Sequence, residues 1–340
     1  MRFLIVVLAV LLLFGCTEAP VEPEENITNQ TEPEPPPVSI IIEEQKNQTT
    51  EDIYIPPEPV EEENETVETT DVQYSYEPDA TTGIFFIDVS SAKLHGNAVF
   101  IKKGDLDILV DGGPEENGGK TVDLLKSRKI DDIDILISTS ADPRMYGGLE
   151  AVMNNFEVEH FWWTGKTFGN QEYVALVNGI QGKVKETRVV SKGDYTNLNE
   201  LELEVLNPPV ERFDDVNNDA IVLKVTDRNV SLLLTSGVQK GATQKMTNDI
   251  PEKTKVNILQ APYFGTGEGT RDIGLFLLAS DPDDVIITGS ADDSPANGGS
   301  REPFERLLTQ YGIDWYNQYE LGTIRITSDG QEYAIQNISN

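Results

Sequence analysis

From Gly83 to Gln336 the chain alternates short β-rich apolar runs with helical ones. This alternation limits the fold more than any other feature. Runs such as Ile84–Val89, Leu106–Val110, Ile133–Ile137 and Val158–Trp163 are too short for core helices and read as buried strands. Residues 119–126, 147–155, 172–180 and 303–310 carry apolar positions at helical spacing between them. The stretch from Leu201 to Thr235 is strand-rich, and no internal repeat of constant period occurs. Crossovers mixed with hairpins predict a layered α/β domain with mixed sheets over residues 81–340, long enough to bury one large core.

The text before it has the opposite character. Thr17 to Ala80 holds 19 acidic residues, one lysine and 10 of the 19 prolines. A segment so charged and so poor in aromatics cannot bury enough apolar surface to offset its ordering entropy. Residues 16–80 are therefore expected to form a disordered acidic stalk. The run 39–42 is the one place in it that reads as a short strand. Residues 81–340 remain acidic, by 16 charges. Nucleic-acid affinity is drawn from Lys and Arg neutralising phosphates, so direct nucleic-acid binding is not expected.

Residues 1–15, MRFLIVVLAVLLLFG, set one Arg before an apolar run from Phe3 to Phe14. Twelve apolar residues are too few to span a hydrocarbon core and fit a signal peptide. Leu13-Phe14-Gly15-Cys16 resembles a lipobox, which implies a lipid-modified Cys16 and attachment to a membrane at the cell surface. Cys16 is the only cysteine, so no intrachain disulfide forms. Sequons at Asn26, Asn29, Asn47 and Asn64 mark candidate glycosylation sites on the stalk, and two more stand at Asn229 and Asn337.

Six blocks in the folded part carry a family resemblance. Phe86-Ile87-Asp88-Val89 with Gly96-Asn97-Ala98, then Ile108 to Gly113, stand where FxDVGQGDA and IDGG stand in the extracellular hydrolase-like domain of the ComEC DNA-uptake channel family. Ile133 to Leu149 follows that family's register to its closing Gly-Gly-Leu. Asn217 to Val225, Leu232 to Val238 and Val256 to Thr266 are similar to its NxxSxVL, LLTGD and LKxPHHGS blocks, and Gly312 to Asp329 to its end. The resemblance implies a metallo-β-lactamase-type αββα sandwich, two mixed sheets flanked by helices.

It also implies a metal pair that generates hydroxide, and here the residues depart from it. The four places of the His-x-His-x-Asp-His loop hold Ser140, Asp142, Arg144 and Met145. The bridging Asp of LLTGD falls on Gly237, and the paired histidines of PHHGS on Tyr263 and Phe264. A divalent cation needs several N, S or carboxylate donors converging on one point, and only Asp142 remains of that kind. His95 falls in a loop and His160 beside Trp162 and Trp163. Neither has a second histidine at metal-binding spacing, so both read as structural. No metal and no cofactor are expected.

Among the remaining motifs, Asp214 to Asp219 offers oxygens but lacks the glycine and terminal Glu of a calcium loop. Tyr263 to Gly269 is glycine-rich without the lysine of a phosphate-binding loop and reads as a rim loop. Of Trp162 and Trp163, one ring is expected in the core and one at the surface.

The reading that follows is a cell-surface lipoprotein whose catalytically degenerate domain binds or scaffolds an unidentified protein or small molecule. The seven replaced positions form the candidate ligand cleft. Two alternatives stay open: a hydrolase of phosphodiesters or other esters rebuilt from Ser140, Asp142 and Asp111, and an accessory factor in DNA uptake.

Overall fold

A computed structural model describes residues 72–91, 94–266, 270–292 and 298–338. The expected signal peptide, Cys16, the sequons at Asn26, Asn29, Asn47 and Asn64, and the run 39–42 lie outside the described residues.

The first sheet is built from β1 (Thr82–Phe86), β2 (Val99–Lys103), β3 (Leu106–Val110), β4 (Asp132–Ser138), β5 (Glu157–Trp163) and β6 (Glu186–Val189), closed at one edge by β14 (Thr323–Ser328) and β15 (Tyr333–Ile338). The second comprises β7 (Tyr195–Leu198), β8 (Leu201–Asn207), β9 (Val222–Asp227), β10 (Val230–Leu234), β11 (Ile258–Gln260), β12 (Asp284–Ile287) and β13 (Asp314–Asn317). Their orders are β15-β14-β1-β2-β3-β4-β5-β6 and β13-β12-β11-β10-β9-β8-β7. Sequence neighbours such as β2–β3, β9–β10 and β14–β15 pair antiparallel, and β14 returns from the far end of the chain to pair antiparallel with β1. Helical crossovers supply parallel pairs, among them β3–β4, β4–β5, β10–β11 and β11–β12.

The strands read as unbroken apolar runs because both of their faces are covered. Along β1, Ile84 and Phe86 point into the core between the sheets, while Phe85, and Ile87 just past the strand's end, point outward. The outward face of the first sheet packs under α1 (Gly118–Ser127), α2 (Pro143–Tyr146), α3 (Leu149–Met153) and α4 (Gln171–Gln181). The second sheet packs under α5 (Lys240–Asp249), α6 (Pro251–Thr254), α7 (Thr270–Ser280) and α8 (Glu302–Tyr311), and α9 (Gln318–Leu321) precedes β14. The result is the αββα sandwich that the resemblance implies. Among the described residues no helix is long and apolar enough to cross a membrane.

Three details differ from the sequence reading. Trp162 and Trp163 are both buried, because adjacent strand residues point to opposite faces and both faces of β5 are covered. Helix α5 escapes the periodicity argument: its sequence KGATQKMTND buries only Ala242, Thr243 and Met246. The packed chain also begins ahead of residue 81. Val72 and Tyr74 pack on the inter-sheet core, Gln73 N donates to Glu159 and Ser75 N to Asp105 (2.8 Å), and Asn199 N donates to the Tyr74 hydroxyl (2.9 Å).

Candidate functional site

The loops that carry the replaced positions leave the carboxyl ends of β4, β10 and β11, and Asp111 leaves that of β3. Ligand sites of α/β sheets gather at such ends.

Asp111 is fully buried at φ 61 and forms the hub. Its Oδ1 accepts from Thr139 N (2.8 Å), and its Oδ2 from Thr139 Oγ1 (2.7 Å), Asn97 Nδ2 (2.8 Å) and Ser236 Oγ (3.4 Å). Gln260 extends the network: its Nε2 donates to Asn97 Oδ1 (2.7 Å) and its Oε1 accepts from Thr235 N and Ser236 N (3.0 Å each). Burial pushes the Asp111 carboxyl up to about 6 while these donors pull it down. The network ties strand ends of both sheets into one polar plug. Sequence reasoning missed Asn97, Thr139, Ser236 and Gln260 in this role, since their partners lie up to 163 positions away.

Above the plug lies the first block of replaced positions. Asp142 and Pro143 open α2, and the Asp142 carboxylate caps it by accepting from Arg144 N at 2.9 Å. The same carboxylate takes the Arg144 guanidinium, with Nε at 3.0 Å from both oxygens and Nη2 on Oδ2. The two side chains are only 12% and 10% exposed. Burial works against the arginine's charge, and the carboxylate more than offsets it, so the guanidinium's pKa stands above the ordinary arginine value.

Tyr263 and Phe264 close over the pair. Arg144 Cζ lies 5.0 and 5.2 Å from their ring centres, and Nη2 donates to the Tyr263 hydroxyl at 3.3 Å. Both aromatics adopt left-handed backbone (φ 46 and 62), as does Ser236 (φ 48). Such geometry costs on the order of 1 kcal/mol or more per residue and persists only where the surroundings enforce it. Here Tyr263 N donates to Ser236 O (3.2 Å), and Phe264 packs on the His95 ring at 4.7 Å. His95 is buried, and its Nδ1 accepts from Ser290 N at 2.9 Å.

Met145 is fully buried, its Sδ 3.6 Å from Ser236 Oγ. A Cβ on Gly237 would lie 3.1 Å from Met145 Cε, so these two positions share one volume. Ser140 turns away: its Oγ donates to Val216 O at 2.8 Å and accepts from Asp142 N. The replaced positions thus fill their own space. The open cavity, about 490 Å³, lies to one side among Val238, Lys240, Thr243, Pro262, Tyr263 and Gly298, and Tyr263 alone of the seven lines it.

The closing Gly-Gly of the loop has a steric cause. Gly112 N donates to Met145 O and Gly148 N to Gly113 O, which draws the two backbones together. A Cβ on Gly148 would stand 2.1 Å from Gly112 O.

A divalent cation does not fit this arrangement. Of the replaced positions only Asp142 has a ligand-type side chain, and it is engaged on both oxygens by Arg144 among thioether, guanidinium, phenol and phenyl groups. Among the described residues no group of three or more His, Cys, Asp or Glu side chains is arranged to hold a metal. Elsewhere, His160 Nδ1 lies 3.0 Å from Glu186 Oε2. The acids at 214–219 are engaged as well: Asp214 pairs with Lys166, Asp215 accepts from Asn217 N and Asn218 N, and Asp219 from Phe213 N and Asp214 N.

No protein-family model matches the chain. Over 207 residues, 60% of its length, it is 22% identical to ComE operon protein 3 of Bacillus subtilis (strain 168), and the match spans 26% of that protein. Among solved structures it is similar to the metallo-beta-lactamase fold protein YhfI from Bacillus subtilis (10% identity, TM-score 0.48, 70% of this chain and 96% of that one). It is also similar to Igni18, a metallo hydrolase from the archaeon Ignicoccus hospitalis KIN4/I (12% identity, TM-score 0.46, 72% and 98%). By its layer order the chain is an αββα sandwich of the metallo-β-lactamase type, with sequence similarity to about a quarter of ComE operon protein 3.

Proposed function

We propose that this domain neither binds a metal nor hydrolyses, and that it serves to bind or scaffold at the cell surface. In this reading it is held there by a lipid on Cys16 through the acidic stalk. The observation that carries the proposal is the Asp142–Arg144 pair. A guanidinium bonded to the sole remaining ligand-type carboxylate puts a positive charge where a cation would have to sit, at a cost no single donor offsets. The cavity beside Tyr263, roofed by a strained aromatic turn, is the first place for a ligand.

A rebuilt hydrolase finds less support. Ser140 Oγ is committed to Val216 O, and Asp111 is buried under four donors, so neither faces a common reacting point with Asp142. A role beside a DNA-uptake channel rests on the partial likeness to ComE operon protein 3 alone.

The test is elemental analysis of the full chain after incubation with zinc, manganese and iron and removal of free ions, paired with a phosphodiesterase assay under the same loading. Substoichiometric metal and no turnover are expected. Stoichiometric metal with turnover lost in Asp142→Ala overturns the reading. For the anchor, Cys16→Ser is expected to move the protein from membranes to the soluble fraction.

A further inference from the structure

On the outward face of the first sheet, far in sequence from the replaced positions, Phe85 lies between two guanidinium groups. Arg325 is its direct cross-strand partner on β14, and Arg128 reaches over it from the C-terminal cap of α1. The Cζ atoms stand 5.5 and 4.9 Å from the ring centre. Gly83 and Lys102, themselves register partners, continue the same face two residues along β1 and β2. A Cβ on Gly83 would lie 3.1 Å from the Phe85 ring, so glycine leaves the floor open. These residues bound a cleft of about 420 Å³ with Thr81 at its lip.

In a chain with 59 acidic and 26 basic side chains, an arginine readily finds a carboxylate. These two do not: among the described residues neither forms an ion pair, and both Nε atoms are buried without a hydrogen-bond partner. Acids do stand nearby. Asp107 holds Lys102 at 2.9 Å, and Glu77 packs over Gly104 on the rim. Neither engages a guanidinium, so the cleft keeps two uncommitted charges over an aromatic floor.

We infer that this cleft is an anion site for the phosphate or carboxylate group of a small ligand, separate from the loops at the strand ends. Arginine's planar fork matches such oxyanions with paired N–H donors. Stacking on Phe85 holds both guanidiniums in place before a ligand arrives, which lowers the ordering cost of binding.

Isothermal titration calorimetry on the full chain, with inorganic pyrophosphate and tricarballylate as separate probes, tests this. One-to-one binding of at least one probe is expected, weaker in added salt. Arg128→Gln combined with Arg325→Gln should weaken it about tenfold or more. Thr81→Glu, an exposed substitution that sets a carboxylate at the lip, should also weaken it, and it keeps the test valid if the double variant does not fold. Response to pyrophosphate alone assigns phosphate esters, to tricarballylate alone carboxylates, and to both the shared oxyanion chemistry. No binding of either probe, or affinity unchanged from that of the unaltered chain in both Thr81→Glu and a folded double variant, overturns the inference.

Discussion

Arg144 and Asp142 stand two residues apart on one turn and close on each other through Nε, which lies 3.0 Å from both carboxylate oxygens. The bond is local in sequence, yet it sits among groups from both sheets, under Tyr263 and Phe264 and beside Met145. One pair therefore gives the aspartate at this replaced position two tasks: it caps α2 and neutralises the arginine.

Removing one partner should cost more than removing both. Arg144→Met leaves the Asp142 carboxylate nearly desolvated with only the backbone donor, and a loss of about 2–3 kcal/mol is expected, below the value for fully buried pairs because these side chains retain some exposure. Asp142→Ser with Arg144→Met keeps a capping oxygen and removes both charges, so more than half of that loss should return. Urea unfolding of the two variants measures this. A double variant no more stable than the single would show that the pair does not behave as a unit.

The domain should gain stability on mild acidification. Asp107 N donates to Asp134 Oδ2 at 2.6 Å across β3 and β4, and burial raises both carboxyls to about 7, as it raises Asp111 to about 6. Protons are then held more tightly by the folded chain than by the unfolded one. The stability these groups contribute is full below an ordinary Asp pKa, about 4, and is lost as pH rises through 6 to 7. The urea midpoint should be higher at pH 5 than at pH 8 at constant ionic strength. Asp134→Asn should raise the midpoint at pH 8 and shrink the difference, which separates these groups from the general charge repulsion of an acidic chain. A midpoint that is flat or falls on acidification refutes the assignment.

Gly148→Ala should be among the most damaging single-methyl changes in the domain. The new Cβ meets a backbone oxygen at 2.1 Å, which no rotamer change relieves, and at least about 3 kcal/mol of stability should be lost. Gly179→Ala, at an exposed position of α4 with nothing within 4 Å of the added atom, should be neutral or stabilise by up to about 1 kcal/mol. Thermal unfolding of the two variants side by side gives the comparison. Equal melting temperatures would mean that the loops around residues 112 and 148 are not held as closely as described.

The layer order was legible before any coordinates, because strands buried on both faces leave unbroken apolar runs. Leu106–Val110 matches its strand residue for residue. Helix α5 was not legible, since a mostly polar helix with a narrow buried stripe gives little periodic signal. The pairing of β3 with β4, or of Phe85 with Arg325, follows from register across the sheet, which one strand's text does not encode.

The candidate site divides along the same line. Sequence by itself determined which side chains stand at the positions where the resemblance expects metal ligands, because that is a matter of chemical identity at aligned places. The Asp142–Arg144 pair joins members near enough along the chain to meet on one turn. Only the tertiary structure decided that Met145 and Gly237 share one volume, that four donors from three loops converge on Asp111, and that Arg128 and Arg325 flank one ring. These relationships join residues up to about 240 positions apart, and packing brings them together only when two sheets close on a common core.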